Sequence, residues 1–351
     1  MIIVPFICIL ASKLCILLAN IPKNTVSLEF THNISTWRFS IDQDLYLRED
    51  LSIKYFNGSI DCNHCDFKVR NGKSNSSPRD LIITGSTSKV ENINLFMRTL
   101  RHTGCMCTVA ILVDSQAYKK IRYDMKEDIE RCGGQIINMG YPEFDMPYNY
   151  YSLIYLWNFY VAKRNFFRFD RIMKCDMFDT IFQGDPFNDE IEPGNFYMIE
   201  ESRPIAYISY KKIIINLQMP VNANVNTTFS CAGIAFGYTE TFTKALDLFF
   251  SYFIWNKGWH DQHLFNVMYM YGLFKYNGVN FVKLRTNETI RHMWWNRKDD
   301  EIGFITGLYD DRIFAQVIHH VHVAPKLLDS LSKHCPNNNP DIVNYIPKPR
   351  N

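Results

Sequence analysis

Asp80-Leu-Ile-Ile-Thr-Gly85 opens the stretch that decides the fold, and Cys107-Thr-Val-Ala-Ile-Leu-Val113 and Gly134-Gln-Ile-Ile-Asn138 repeat its pattern. Such short apolar runs, bounded by turn-forming or polar residues, are the signature of strands buried on both faces. Between them lie a helical segment over Val90 to His102, with Ile93, Phe96, Met97 and Leu100 on one face, and a charged helix over Gln116 to Arg131. Strand, helix, strand, helix, strand builds an α/β fold of Rossmann-like type, a mostly parallel sheet with helices on both faces. Ligands of such sheets bind at the carboxyl ends of the strands. Thr84, Gly85 and Asp114 stand at those ends and are candidate nucleotide contacts, although each reads equally well as a strand-ending turn residue.

Downstream, Tyr148 to Lys163 is aromatic and amphipathic. Lys163 or Arg164 is placed to neutralise a diphosphate, or simply to complement a helix C-terminus. The chain then reads Phe167-Arg-Phe-Asp-Arg-Ile-Met-Lys-Cys-Asp-Met-Phe-Asp-Thr-Ile-Phe-Gln-Gly-Asp-Pro-Phe187. Phe169, Ile172 and Met173 mark a strand that runs into Asp176 and Asp179 before Gly184, Asp185 and Pro186 break it. In a continued strand, two acids three residues apart face opposite ways, so Asp176 and Asp179 converge only if the chain turns between them. A strand end carrying several carboxylates suits a hard divalent cation. The alternative is an Asx-type turn with solvated acids, which is the preferred reading for Asp185.

Further on, Asn195-Phe-Tyr-Met-Ile-Glu200 reads as a strand, residues 204 to 220 as a variable insert, and Phe229-Ser-Cys-Ala-Gly-Ile-Ala-Phe-Gly237 as a strand followed by a helix over Glu240 to Phe253. Gly233 inside that strand marks close approach by another backbone or by a ligand. Cys231 reads as core. Asp261 caps a helix running to about Tyr271, and Trp255 and Trp259 before it suit either a sugar ring or core packing. Gln316-Val-Ile-His-His-Val-His-Val323 is a strand whose alternation puts His320 and His322 on one face and His319 on the other. Three histidines in four residues favour a metal-ligand role, and an imidazole beside carboxylates suits Mn²⁺ better than Mg²⁺.

The run Cys175-Asp-Met-Phe-Asp-Thr-Ile-Phe-Gln-Gly-Asp-Pro-Phe187 resembles the acidic metal motif of nucleotide-sugar glycosyltransferases of the GT-A type, written D-x-x-D-x-x-F-Q-x-D-P-F in the eukaryotic branch. The resemblance spans roughly residues 78 to 330. It implies a GT-A fold and transfer of a hexose from a nucleotide diphosphate sugar, with Mn²⁺ or Mg²⁺ held by Asp176, Asp179 and a late histidine, His320 or His322. The strand with Gly233 resembles the family's acceptor-side N-A-G-x-x-x-G segment, with Cys231 where Asn is usual. Asp261 and Gln262 match a D-Q pair that faces acceptor and donor sugar. The same pattern resembles the retaining families; an inverting enzyme would need a base, which Asp261 or Glu200 supplies.

The 351-residue chain is 47% hydrophobic, enough for a substantial core. Its 38 basic and 36 acidic residues leave a net charge of +2 without a dense basic block, so nucleic acid is not an expected partner. No G-x-G-x-x-G or P-loop sequence occurs, which disfavours dinucleotide oxidoreductases and P-loop phosphotransferases. Residues 1–20 form an apolar leader interrupted by Lys13, a cleaved signal or a signal-anchor that would hold the protein at a membrane. Residues 21–78 read as a stem, 79–330 as the glycosyltransferase domain and 331–351 as a polar, Pro-rich tail. Sequons at Asn33, Asn57, Asn75, Asn226 and Asn287 and an even number of cysteines beyond the leader point to the secretory pathway, the Golgi or ER lumen. Cys62 and Cys65 have zinc-ligand spacing but no second pair, so disulfides are the better expectation. The expected acceptor is a glycan or glycoprotein. Two rival readings are a catalytically inactive carbohydrate-binding protein of the same fold and a luminal metal-dependent phosphohydrolase or nucleotidyltransferase.

Overall fold

Seven strands form one sheet in the order β3-β2-β1-β4-β7-β6-β8, and six of them run the same way. They are β1 (Asp80–Ser86), β2 (Thr108–Val113), β3 (Gly134–Asn138), β4 (Arg171–Asp176), β6 (Asn195–Pro204), β7 (Thr228–Tyr238) and β8 (Asn280–Leu284), of which β7 alone is antiparallel to its neighbours β4 and β6. The computed structural model describes residues 48–58, 62, 65–67, 69, 74–87, 90, 92–140, 150–187, 191–204, 207–217, 219, 227–253, 261–284, 290–292, 316–320 and 334–335. The expected leader, the two tryptophans before Asp261, His322 and most of the tail lie outside those residues.

Alternation along the central strands feeds two apolar layers, which is why these runs look apolar throughout. Leu81 and Ile83 of β1 pack with Tyr155, Trp157 and Phe159 of α4 (Tyr150–Arg164), while Ile82 packs on the other face with Ile93 and Phe96 of α1 (Ile93–His102). The expected charged helix is two helices, α2 (Ser115–Lys120) and α3 (Tyr123–Arg131), because Ile121 and Arg122 are extended between them. At the amino edge of the sheet Arg171 holds Asp80 through two hydrogen bonds of 2.7 and 2.8 Å, locking β4 to β1.

The chain fills the sheet outward from β1 through β2 to β3, then returns past β1 to lay down β4. The strand order therefore reverses between β1 and β4, and a ligand crevice is expected outside their carboxyl ends. The fold is α/β with a mostly parallel mixed sheet and helices on both faces, consistent with a Rossmann-like arrangement.

The expected variable insert, residues 204 to 220, contains a helix, α5 (Tyr207–Asn216), and Tyr210, Ile213, Ile214 and Leu217 are buried in the core at helical spacing. Part of the expected stem also packs inward: Leu51, Ile53 and Phe56 are buried, and the Asn165 amide accepts from Ile53 N and donates to Leu51 O. Cys62 pairs with Cys132 and Cys65 with Cys335, so both lead-in cysteines form long-range disulfides. Asn57 and Asn75, the sequons within the described residues, are exposed.

A second, three-stranded sheet in the order β5-β10-β9 lies beyond the end of β4. It consists of β5 (Thr180–Phe182), β9 (Ile290–His292) and β10 (Val317–His319). On the far side of the main sheet's centre, α6 (Thr239–Tyr252) and α7 (Asp261–Met270) complete the α4 layer. Among the described residues no helix is long and apolar enough to cross a membrane.

Candidate functional site

Asp176 is the last residue of β4, and a 3-10 turn, Met177–Asp179, follows at once. Side chains three apart eclipse in such a turn, so Asp176 and Asp179 converge. Thr180 then starts β5, and the antiparallel register of β10 sets His319 opposite Thr180. Backbone pairing thereby carries an imidazole to the acids. His319 Nδ1 lies 3.2 Å from Asp179 Oδ1 and 3.1 Å from Thr180 Oγ1. One donor atom from each of Asp176, Asp179 and His319 lies within 4.8 Å of the others.

The histidine assignment differs from the sequence expectation. Strand β10 ends at His319, and His320 has a φ of 62°, in the left-handed region, which ends the alternation. His320 therefore does not face away from His319: its Nε2 lies 3.8 Å from Asp179 Oδ2, so both rings flank the same carboxylate. His319 and Asp179 are buried at 0% and 1% exposure. Burial pushes the His319 imidazole down, but Asp179 and then Cys231 outweigh it and hold its pKa well above the ordinary histidine value.

Gly233 explains how the ring fits. A Cβ at that position would stand 1.9 Å from His319 Nε2, so a side chain on β7 would occupy the imidazole's place. The close approach at Gly233, expected from another backbone or a ligand, is made by neither but by the His319 side chain. Here β7 also slips against β6, the partner of Ile199 being Cys231 while that of Met198 is Ala235. Bulges of this kind re-aim side chains beside sites. Cys231 Sγ accepts from Gly233 N at 3.4 Å, and Cys231, His319 and His320 also bring donor atoms within 4.8 Å of one another. Burial pushes the Cys231 thiol up, partly offset by the His319 imidazole.

Lys174 is the member the sequence reading missed. It is 1% exposed, and its Nζ reaches Asp176 Oδ1 at 2.5 Å and Ala232 O at 2.9 Å and lies 4.6 Å from the centre of the Tyr155 ring. Burial pushes this ammonium down, but Asp176 and Asp261 outweigh it and raise its pKa. The signal was present: a lysine two residues before an acid in an apolar strand shares that acid's face.

Asp261 and Gln262, at the start of α7, join the same polar system. Asp261 is buried and its Oδ1 accepts from Gln262 N at 2.7 Å. Gln262 accepts from Ala232 N at 3.3 Å and donates to Glu201 Oε1 at 2.8 Å, bridging β7 and β6. Asn266, one turn on, clamps α7 to β7 by accepting from Ser230 N and donating to Ser230 O. Glu201, buried, was also missed; the neighbouring Glu200 instead accepts from Thr228 Oγ1.

The expected nucleotide contacts divide. Gly85 is the register partner of Asp176 at the point where the strand order reverses, and a Cβ there would meet Leu112 O at 2.8 Å. Thr84 is buried and its hydroxyl donates to Cys175 O at 2.7 Å, across the same pair of strands. Asp114 caps α2, accepting from Ala117 N at 2.6 Å. Lys163 is not brought to the acids. It is exposed near the end of α4, which leads into the amino end of β4, at the sheet edge opposite Asp176. Asp185 makes the Asx turn, accepting from Phe187 N at 3.0 Å, and also accepts from Ser76 N at 2.8 Å.

No protein-family model matches the sequence, and no curated protein matches it.

Proposed function

We propose that the chain is a metal-dependent glycosyltransferase of GT-A type, moving a hexose from a nucleotide diphosphate sugar, with uridine as the favoured base, to a glycan or glycoprotein. The observation that carries this reading is the convergence of Asp176, Asp179 and His319 at the carboxyl end of β4, beside Gly85 and the reversal of strand order. Two carboxylates and one imidazole are a donor set that fits Mn²⁺, and a diphosphate is the ligand such a cation binds beside a strand end. When bound, the cation supplies a Lewis acid for charge developing on the leaving diphosphate. Lys174 donates to one oxygen of Asp176 and so fixes where that carboxylate points. Gln262, fixed through Ala232 and Glu201, and Asp261, which accepts from Gln262 N, are assigned to the sugar and the acceptor hydroxyl. Retention of the anomeric configuration is the expected outcome. Among the described residues, two disulfides and two exposed sequons support a route through the secretory pathway.

Cys231 favours a second reading, an inactive carbohydrate-binding protein, because a thiol replaces the amide that the resembling enzymes carry on the acceptor-side strand. One experiment separates the two: full-length protein is incubated with Mn²⁺ and nucleotide sugars, with and without glycan acceptors, and the products are identified. A new glycosidic bond that requires Mn²⁺ and is lost in Asp179→Asn supports the enzyme. Glycan binding without turnover of any nucleotide sugar would favour the binding protein, and release of phosphate or a nucleotide adduct would favour phosphoryl chemistry.

A further inference from the structure

Two donor sets overlap at one imidazole. The first is Asp176, Asp179 and His319, all oxygen apart from the ring; the second is Cys231, His319 and His320, soft sulfur and nitrogen. Hard cations such as Mn²⁺ select the first, whereas thiolate with two imidazoles selects Zn²⁺, which also stands well above Mn²⁺ in the general order of affinities. The two nitrogens of His319 point to different places. Nδ1 faces Asp179 and Thr180 at 3.2 and 3.1 Å. Nε2 faces Gly233, as its 1.9 Å approach to a Cβ built there indicates, and Gly233 is two residues beyond Cys231 on β7.

A neutral imidazole has one nitrogen that carries a proton and one that offers a lone pair. If Nδ1 binds a cation with the acids, Nε2 carries the proton and has no lone pair for a metal at Cys231. If Nε2 binds a metal with Cys231 and His320, Nδ1–H donates to Asp179, which then orients the ring as carboxylates do for zinc-bound histidines. Gly233 N, donating to Cys231 Sγ at 3.4 Å, favours the thiolate form in that state. The left-handed backbone of His320 keeps the third donor on the same side.

We infer that Cys231, His319 and His320 form a Zn²⁺ site that excludes Mn²⁺ from the acidic site, with His319 bound through Nε2 in one state and through Nδ1 in the other. On binding, Cys231 and Nε2 give up their protons to solvent. Zinc would therefore switch off the proposed transferase by taking its histidine. The Mn²⁺ half of this inference rests on the function proposed above; the thiolate half does not.

The test uses metal-free full-length protein and Co²⁺ as a visible substitute for Zn²⁺. The expected result is a thiolate-to-cobalt charge-transfer band with the visible bands of a tetrahedral ion. The band is lost in Cys231→Ser, weakened at least about tenfold in affinity in His320→Gly, kept in Asp176→Asn, and abolished by Zn²⁺. His320→Gly suits the left-handed backbone, so it removes the ring without straining the fold. In parallel, Mn²⁺ release is followed by electron paramagnetic resonance: Zn²⁺ is expected to expel Mn²⁺ from the wild type, with about tenfold more Zn²⁺ required in Cys231→Ser. A missing charge-transfer band, or one of equal strength in Cys231→Ser, overturns the zinc site. Mn²⁺ that stays bound while the cobalt band is present overturns the sharing of His319. A Cys231-dependent band in a protein that binds no Mn²⁺ leaves the soft site standing and removes the cation site of the proposed function.

Discussion

His319 stands directly across the β10–β5 ladder from Thr180, and its Nδ1 lies 3.2 Å from Asp179 Oδ1. A donor from the far end of the chain thus reaches the acidic turn through strand pairing rather than through a loop tip. The register that pairs His319 with Thr180 also pairs Val317 with Phe182, both fully buried, so apolar packing fixes the imidazole's position. A one-residue slip of β10 would turn His319 away and expose Val317.

Asp179 is the residue on which both histidines converge, so Asp179→Asn should be the most damaging single change at the cation site. The expected loss is at least about tenfold in Mn²⁺ affinity, because an amide keeps the shape but neither the charge nor the second strong acceptor. A thermal-shift series with nucleoside diphosphates, with and without Mn²⁺, reads this. Stabilisation that needs both ligands in the wild type and vanishes in Asp179→Asn is the expected pattern; an unchanged joint shift would remove Asp179 from the site.

Gly233→Ala tests the same site without touching a donor. The added methyl would overlap His319 Nε2, and forcing atoms into a packed core costs about 1–3 kcal/mol. Denaturant unfolding is expected to show that loss together with weaker Mn²⁺ binding, because the ring must move. A variant that binds Mn²⁺ with wild-type affinity would show that His319 is not a ligand.

Lys174→Met removes the cation from a buried pair, leaving the Asp176 carboxylate without it, and takes one donor from the carbonyls of Ala232 and Gly233, of which Ala232 O keeps the Tyr155 hydroxyl. Breaking such a pair on one side costs about 3–5 kcal/mol. The double variant Lys174→Met/Asp176→Asn is expected to recover part of it, since the uncompensated charge is gone. Urea unfolding of the single and double variants measures the coupling, and strict additivity would deny the pair any structural role.

Much of this fold is written in local pattern. Apolar runs at residues 80–85, 107–113 and 134–138 are strands because each side chain meets one of two buried layers, and the pairing of Asp176 with a turn was foreseeable from the need of two acids to converge. What the sequence hid was long-range. Strand β5 is three residues, too short for a periodic signal, and the alternation expected over 316–323 breaks at the left-handed His320, so only the β5–β10 pairing explains why His319 rather than His320 stands closer to the acids. Helix α5 was obscured by the β-branched run Ile213-Ile-Ile215, although Tyr210, Ile213, Ile214 and Leu217 carry helical spacing. Lys163 misled because its charge is legible and its end of the sheet is not.

Asp261 and Gln262 are held by different bonds, which predicts different phenotypes. Asp261→Asn leaves the Gln262 bridge to Ala232 and Glu201 intact and should lower turnover at least about tenfold with donor affinity largely kept. Gln262→Ala breaks the bridge between β6 and β7 and should also reduce thermal stability, by about 1–2 kcal/mol for two lost hydrogen bonds. Steady-state kinetics with a fixed acceptor separates the two, and an unchanged rate in Asp261→Asn would sink its assignment.

Lys283 on β8 gives the protein a defined alkaline response. Its Nζ donates to Thr227 Oγ1 at 3.0 Å and to Thr228 O and lies 4.0 Å from the centre of the Tyr269 ring, while Glu200 faces it. Burial lowers its pKa from 10.5 to about 8, more than the Glu200 carboxylate restores. Between those two values the unfolded chain binds more protons at this position than the folded one, so the lysine's contribution to stability rises with pH. That contribution is lost as pH falls through about 8. Relative to Lys283→Met, the wild type should therefore gain stability as pH climbs from about 8 towards 10, by about 1 kcal/mol once solvent screening is discounted. Urea midpoints of both proteins across that range provide the comparison; a difference that stays flat, or shrinks, would mean that Lys283 keeps an ordinary pKa in the folded state.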